Sequence, residues 1–78
     1  MEEKLIKIAS NILGYDIDIN DNLKESGMDS LSIVTLIVDI EEEFNITFND
    51  SDLEPSNLTT LNDIKKVMEK YLWNYGII

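Results

Sequence analysis

The sequence from Gly27 to Leu31 is GMDSL. It places the hydroxyl of Ser30 between an acid and an apolar residue, directly before a long apolar run. Such a hydroxyl could act as a nucleophile or accept a covalent group. Nucleophilic catalysis needs a neighbouring base and donors that stabilise an oxyanion. The chain contains no histidine and no cysteine, and no lysine stands near Ser30 in the sequence. The composition therefore argues against a hydrolase, a thiol nucleophile and a zinc-thiolate site.

Ser30 is better suited to hold a group that another enzyme attaches. The first-turn amides and the positive dipole end of a helix that begins here would favour an attached phosphodiester. Gly27 lets the chain turn sharply into that helix, and the Asp29 carboxylate is a suitable N-cap for a first-turn amide. The simpler alternative is that Ser30 only occupies the first turn, where serine is common. The triplet Asp-Ser-Leu alone leaves both interpretations open.

Segments with helical periodicity lie before and after this motif in the sequence. Apolar residues recur at helical spacing in three long segments, Gly14 is a stop signal, and Thr60 with Asp63 resembles a capping box. Pro55 suits the first turn of a short additional helix. The predicted helices span residues 2–13, 30–44, 55–59 and 60–72. With no strand-like alternation, we predict an all-α fold, a small antiparallel four-helix bundle that forms one domain over residues 1–78.

The connection between the first two helices, residues 15–29, lacks a clean period. Its apolar side chains are expected to pin it to the core: Tyr15, Ile17, Ile19, Leu23 and Met28. Three polar residues from Asp16 to Asn20 occupy ligand positions of an EF-hand loop. Asp21 and Gly27, however, stand where that loop requires glycine and glutamate. We therefore expect an acidic, turn-rich connection rather than a calcium site.

The second helix has two apolar sides at about 100° per residue. The core side comprises Ile33, Leu36, Ile37, Ile40 and Phe44. The opposite side, here called the docking stripe, comprises Leu31, Val34 and Val38 with Glu41 and Glu42 at its end. A small bundle cannot usually bury both sides of one helix. Either the long connection or the C-terminal tail covers the docking stripe, or it binds partner proteins, which is the interpretation we favour.

Sixteen acids against six bases give a formal net charge of −10. Such a surface repels phosphate backbones and anionic membranes, so we expect basic proteins as partners, and neither nucleic acid nor membrane. The N-terminal run MEEKLIKIAS has acids where a signal peptide is basic, and no segment suits a bilayer, which predicts a cytoplasmic protein. An unmodified helical module that binds a basic protein is thus the alternative from another functional class.

The run GMDSLSIVTLIVDIEEEF resembles the signature of the acyl carrier protein superfamily, and the likeness extends over the whole chain. It implies a discrete carrier, itself no enzyme and expected to be monomeric. Ser30 would receive 4'-phosphopantetheine from coenzyme A through a phosphopantetheinyl transferase, and the arm's thiol would hold the cargo as a thioester. Asp29 would lie beside the modified serine and help the transferase engage, and the docking stripe from Leu31 to Glu42 would face partners. Those partners would be the transferase and the loading enzymes and synthases with basic docking surfaces.

The cargo implied by the resemblance has two alternatives. Fatty-acid carriers often have acids where this chain has Ser32 and Thr35, and an apolar residue where it has Ser26. The stretch NDSDLEPSNLTTL is longer than its counterpart and is closer to discrete carriers of polyketide or nonribosomal-peptide pathways. The resemblance therefore implies acyl intermediates of fatty-acid, polyketide or related biosynthesis, or alternatively an aminoacyl or peptidyl group.

Overall fold

The structure, a computed structural model, describes residues 1–74 of the chain. It contains three α-helices, α1 (Glu2–Leu13), α2 (Ser30–Phe44) and α3 (Leu61–Asn74). The predicted bounds of the first two helices are confirmed, and α3 begins one residue later than predicted and runs two residues further. No strand is formed within residues 1–74, which agrees with the predicted all-α fold. Within the same residues, no helix has the length and apolar character needed to cross a membrane.

The predicted short third helix is corrected by the structure. The segment 50–58, here called the wall segment, contains two 3-10 turns, Asp50–Asp52 and Pro55–Asn57, and the count of four helices is not confirmed. Its backbone bonds span three residues, as in the 3.1 Å bond from the Leu58 N–H to the Pro55 carbonyl. Short polar side chains compete for the backbone here, since the Asn57 amide donates to the Asp52 carbonyl at 3.0 Å. Such local bonds favour turns over a continuous helix.

The helix ends form as their residues predict. Gly14 ends α1 in the left-handed region at φ 86°, and its N–H donates to the Ser10 carbonyl at 2.8 Å. Asn45 ends α2 in the same region at φ 55°. At the start of α3 the Thr60 hydroxyl accepts from the Asp63 N–H at 3.1 Å, and the Asp63 carboxylate accepts from the Thr60 N–H at 3.2 Å. This reciprocal pair is the predicted capping box.

Connection 15–29 is fixed to the start of α3 by backbone bonds. The Leu23 N–H donates to the Thr59 carbonyl at 2.9 Å, and the Asn62 N–H donates to the Ile19 carbonyl at 2.9 Å. The Leu23 side chain is fully buried, and the side chains of Ile17 and Met28 are almost fully buried. These three predicted pins are therefore confirmed. Ile19 is half-buried and packs against the core, whereas Tyr15 is 52% exposed and does not act as a pin. The connection is therefore a rigid part of the fold that ends immediately before Ser30.

Tyr71 holds the chain between α2 and the wall segment. Its ring packs edge-on against Phe48 at a centroid distance of 5.4 Å. Its hydroxyl donates to the Asp52 carboxylate and accepts from the Asn49 N–H at 2.7 Å. Burial raises the pKa of the Tyr71 hydroxyl, while the hydrogen bond from that hydroxyl and then Lys70 lower the pKa of Asp52. One buried hydroxyl thus fixes both ends of the segment 49–52.

Replacing Tyr71 by phenylalanine should lower the free energy of unfolding by about 1–2 kcal/mol, because the Asn49 N–H loses its acceptor and the Asp52 carboxylate loses its donor in a part-buried site. Urea denaturation followed by circular dichroism measures the change. Tyr15→Phe is the matched control, since this tyrosine is half-exposed and should shift the midpoint little. Equal losses in the two variants would contradict the role given to Tyr71.

Candidate functional site

Ser30 is the first residue of α2, and its side chain is exposed. It lines an open cavity of about 450 Å³ that also borders the connection 15–29 and the wall segment. Ile33, Val34 and Leu58 supply apolar lining to this cavity, and Ser56 and Thr59 also line it. No hydrogen bond joins the Ser30 side chain to another residue in the described range 1–74. Its hydroxyl is therefore accessible and faces open space.

Asp29 caps α2 as predicted. Its backbone is extended, with φ −90°, and its Oδ1 accepts from the Ser32 N–H at 2.8 Å. The Ser32 hydrogen bonds, from the amide first, hold the pKa of the Asp29 carboxyl below its usual value of 3.8. The Ser32 amide is consequently engaged with this carboxylate, and the carboxylate itself adds a negative charge beside Ser30.

The Asp29 cap should make stability depend on pH in acid. A carboxyl whose pKa is lower in the folded state stabilises that state above its unfolded pKa. The stabilisation is lost as the pH falls through the folded pKa. We therefore expect the wild type to lose stability relative to Asp29→Asn, which caps without titrating, between about pH 5 and pH 2. The urea midpoints of both proteins, measured across this pH range, test this expectation. The other acids titrate in both proteins, so the difference between the midpoints reports on Asp29 alone. A constant difference between the midpoints would contradict the assignment.

The apolar part of the docking stripe is exposed. Leu31, Val34 and Val38 are 74%, 57% and 44% exposed, whereas Ile33 on the core side is 8% exposed. The four fully apolar core positions from Ile33 to Ile40 are buried and Phe44 is half-buried, so the predicted two-sided helix is confirmed. The connection 15–29 does not cover the docking stripe, and the tail residues 75–78 lie outside the described part of the chain.

The two acids of the docking stripe differ in their surroundings. Glu42 is exposed, while Glu41 is half-buried and its Oε2 accepts from the Phe48 N–H at 2.8 Å. The Asn45 turn directs the chain back along α2, and this bond closes it. Glu41 therefore holds the turn after α2, a role that helical periodicity alone did not indicate because Phe48 lies beyond the helix.

A second cavity continues the first along α2. It has a volume of about 350 Å³ and shares Ile33, Val34 and Leu58 with the cavity beside Ser30. It extends past Val38 to Leu53 and the buried ring of Phe48. Together they form a groove between α2 and the wall segment that begins at Ser30. Sequence reasoning missed the wall segment as part of the site, because its turns carry no periodic signal.

The acidic connection behaves as a set of turns. The Asp21 carboxylate accepts from the Asp18 N–H at 2.9 Å, a local bond of the kind that acids make in turns. Within residues 1–74 no three histidine, cysteine or acidic side chains gather where they could hold a metal ion.

Comparison with known proteins gives a consistent family. The family model described as phosphopantetheine attachment site matches residues 3–67. An acyl carrier protein of Buchnera aphidicola subsp. Baizongia pistaciae is 38% identical over 94% of this chain and 96% of its own length. An acyl carrier protein of Thermotoga maritima is 37% identical over 88% of each chain. A D-alanyl carrier protein of Leuconostoc citreum is 32% identical over 92% of this chain and 96% of its own.

One solved structure supports the fold. It is the crystal structure of Bradyrhizobium japonicum glycine:[carrier protein] ligase complexed with glycylated carrier protein. The match covers 85% of this chain and 96% of that chain, with a TM-score of 0.73 and 24% sequence identity. The helical arrangement is therefore a carrier-protein fold. The chain belongs to the phosphopantetheine attachment site family and is a carrier protein with a covalently attached 4'-phosphopantetheine.

Proposed function

We propose that Ser30 is the residue that carries 4'-phosphopantetheine, and that the chain transports acyl intermediates of fatty-acid, polyketide or related biosynthesis as thioesters. The observation that carries this proposal is an exposed hydroxyl at the first residue of α2, beside an open cavity and the exposed docking stripe. The other two serines near it, Ser26 and Ser32, are half-buried. Ser30 is thus the accessible hydroxyl of the family motif.

The surroundings of Ser30 fit the proposed group. The hydroxyl is unobstructed, and the cavity of about 450 Å³ gives the attached arm room beside the helix. When bound, the group supplies the thiol that a chain without cysteine lacks. This chain's residues hold the attachment point in place. Asp29 fixes the first turn of α2, and Leu23 fixes the connection that precedes it.

Attachment requires a transferase, since Ser30 has no base of its own. The Ser30 oxygen forms a bond to the phosphorus that carries the pantetheine half of coenzyme A. The bond from that phosphorus to the bridging pyrophosphate oxygen breaks, and adenosine 3',5'-bisphosphate leaves. The serine proton passes to a base of the transferase. Asp29, exposed beside Ser30, is a contact for that enzyme.

We place the transferase, the loading enzymes and the synthases on the docking stripe. Leu31, Val34 and Val38 supply a narrow apolar centre, and Glu42 with the free oxygen of Glu41 supplies acids at its end. The net charge of −10 favours encounter with basic surfaces and disfavours nucleic acid and anionic membranes. The complex of a carrier protein with its ligase in the similar solved structure supports a loading enzyme as one partner. A monomer keeps the docking stripe free for each partner.

The attachment is tested by incubating the protein with coenzyme A and a promiscuous phosphopantetheinyl transferase. Intact mass should increase by one phosphopantetheine, and peptide mapping should locate the increase on Ser30. An unchanged mass, or a modification on another residue, would reject the proposal.

Substitutions in the docking stripe should slow attachment without unfolding the protein. Leu31→Ala and Val38→Ala remove exposed apolar contacts, and each should raise the KM of the transferase up to about tenfold, as central contacts of an interface do. Lys66→Gln, exposed on α3 and outside the docking stripe, is the control. Steady-state kinetics with coenzyme A in excess measures the effect. If neither Leu31→Ala nor Val38→Ala raises the KM of the transferase above that of the control, the docking stripe does not bind the transferase.

An aminoacyl cargo is the second candidate. The D-alanyl carrier protein relative, 32% identical over 92% of this chain, favours it. A holo-protein supplied separately with an amino-acid adenylating enzyme plus ATP, and with a malonyl transferase plus malonyl coenzyme A, distinguishes the two. Loading by the adenylating enzyme alone would assign the aminoacyl function, and loading by malonyl transferase alone would assign the acyl function.

A further inference from the structure

Lys24 lies on the same cavity as Ser30 and is the only charged side chain among the described residues that line it. It is also the only one of the six lysines outside α1 and α3. Lys4, Lys65 and Lys70 pair with acids at 3.4, 2.6 and 3.0 Å. Within residues 1–74, Lys24 makes no such pair. An unpaired ammonium therefore shares a cavity with the hydroxyl to be modified.

The backbone of Lys24 is held in place while its side chain stays free. Its carbonyl accepts from the Gly27 N–H at 3.1 Å, and the adjacent Leu23 is bonded on both its N–H and its carbonyl. Leu23 is fully buried, whereas Lys24 is exposed. Gly27, at φ +114°, shapes the turn that leads from Lys24 to Ser30. The root of the lysine is thus fixed, and its flexible stem can swing over the cavity.

A group attached to Ser30 would lie among negative charges, so a nearby cation would stabilise it. A phosphodiester on Ser30 carries one negative charge beside the Asp29 carboxylate, on a chain of net charge −10. The Ser32 amide of the first turn already donates to Asp29 at 2.8 Å. One amide at the N-terminus of α2 is therefore occupied by the cap and is not available to a phosphate on Ser30. Lys24 is the basic group that the fold brings to this position.

We infer that Lys24 binds the phosphate of the arm on Ser30 and so directs the root of the arm over the cavity. It is a positioning residue, not a catalytic one, and the inference rests on the proposed attachment at Ser30. The ion pair is exposed, so its effect is modest and sensitive to salt. Its consequence is a preferred direction for the arm at the mouth of the groove.

Amine labelling of apo- and holo-protein tests this inference. Both forms are treated briefly with an acetylating reagent, and mass spectrometry measures the acetylated fraction of each lysine. At low ionic strength, attachment should slow acetylation of Lys24 about two- to threefold, as expected for an exposed ion pair. Lys66, exposed on α3 and away from the cavity, is the control within the same chain. In about 1 M salt, where the screening length is about 3 Å, the protection of Lys24 should disappear.

The outcomes distinguish failure of the proposed attachment at Ser30 from failure of the proposed role of Lys24. Failure of the wild type to gain phosphopantetheine on Ser30 rejects the proposed function. A holo-protein in which Lys24 and Lys66 are labelled as in the apo form overturns the inference alone. Protection of Lys24 that persists in high salt also overturns it, because steric cover is not screened. As an independent readout, the phosphorus resonance of the holo-protein should shift in Lys24→Gln and not in Lys66→Gln.

Discussion

Ser30→Ala should yield a folded protein that gains no phosphopantetheine from coenzyme A under conditions that convert the wild type completely. The substitution removes the oxygen that we propose forms the bond to phosphorus. Because the side chain is exposed, the free energy of unfolding should change by less than about 0.5 kcal/mol. Intact mass measures attachment, and urea denaturation shows that the variant is folded.

The neighbouring serines provide matched controls for this result. Ser26→Ala and Ser32→Ala remove hydroxyls four residues before and two residues after Ser30, and both should leave attachment complete. A mass increase that survives in Ser30→Ala would place the group elsewhere. A folded wild type that resists modification would instead favour the unmodified acidic interaction module.

Leu36→Ala should destabilise the protein severely, whereas Leu31→Ala should hardly change its stability. The two leucines lie on the same helix, but Leu36 is fully buried and Leu31 is 74% exposed. Removing a buried leucine side chain costs about 2–5 kcal/mol through lost burial and the cavity left behind. A domain of this size has a total stability of only about 4–12 kcal/mol. Leu36→Ala therefore removes a large share of it.

The same pair of variants separates folding from docking. Urea denaturation should show a large loss for Leu36→Ala and a change below about 0.5 kcal/mol for Leu31→Ala. The transferase should nevertheless discriminate against Leu31→Ala through a raised KM. Comparable destabilisation by both variants would mean that the docking stripe is packed in solution. An unaltered KM for Leu31→Ala would mean that its exposed side chain does not contact the transferase.

The elements that the sequence predicted correctly have a local physical basis. The bounds of α1 and α2 depend on apolar periodicity, on Gly14 and Asn45 at the helix ends, and on the Asp29 cap, all of which act within a few residues. The two sides of α2 also followed from sequence, since the angle between residues on a helix is constant. The capping box at Thr60 is equally local.

The short third helix was not correctly predicted because its competing interactions are distributed over several turns. Pro55 does begin a turn, as expected. The chain around it contains short polar side chains that bond to their own backbone, and Asp52 is drawn instead to Tyr71 on α3. The local sequence pattern of the segment gives no information on Tyr71, which lies nineteen residues after Asp52 in the chain.

By itself the sequence determined the carrier motif, the position of Ser30 at a helix start, the capping role of Asp29 and the apolar stripe of α2. Each depends on neighbours in the chain or on the regular geometry of one helix. Only the tertiary structure decided that the connection leaves the docking stripe open, that the wall segment forms a groove beside Ser30, and that Lys24 lies on its cavity. These features depend on packing between distant segments, and backbone bonds such as Leu23 to Thr59 set them.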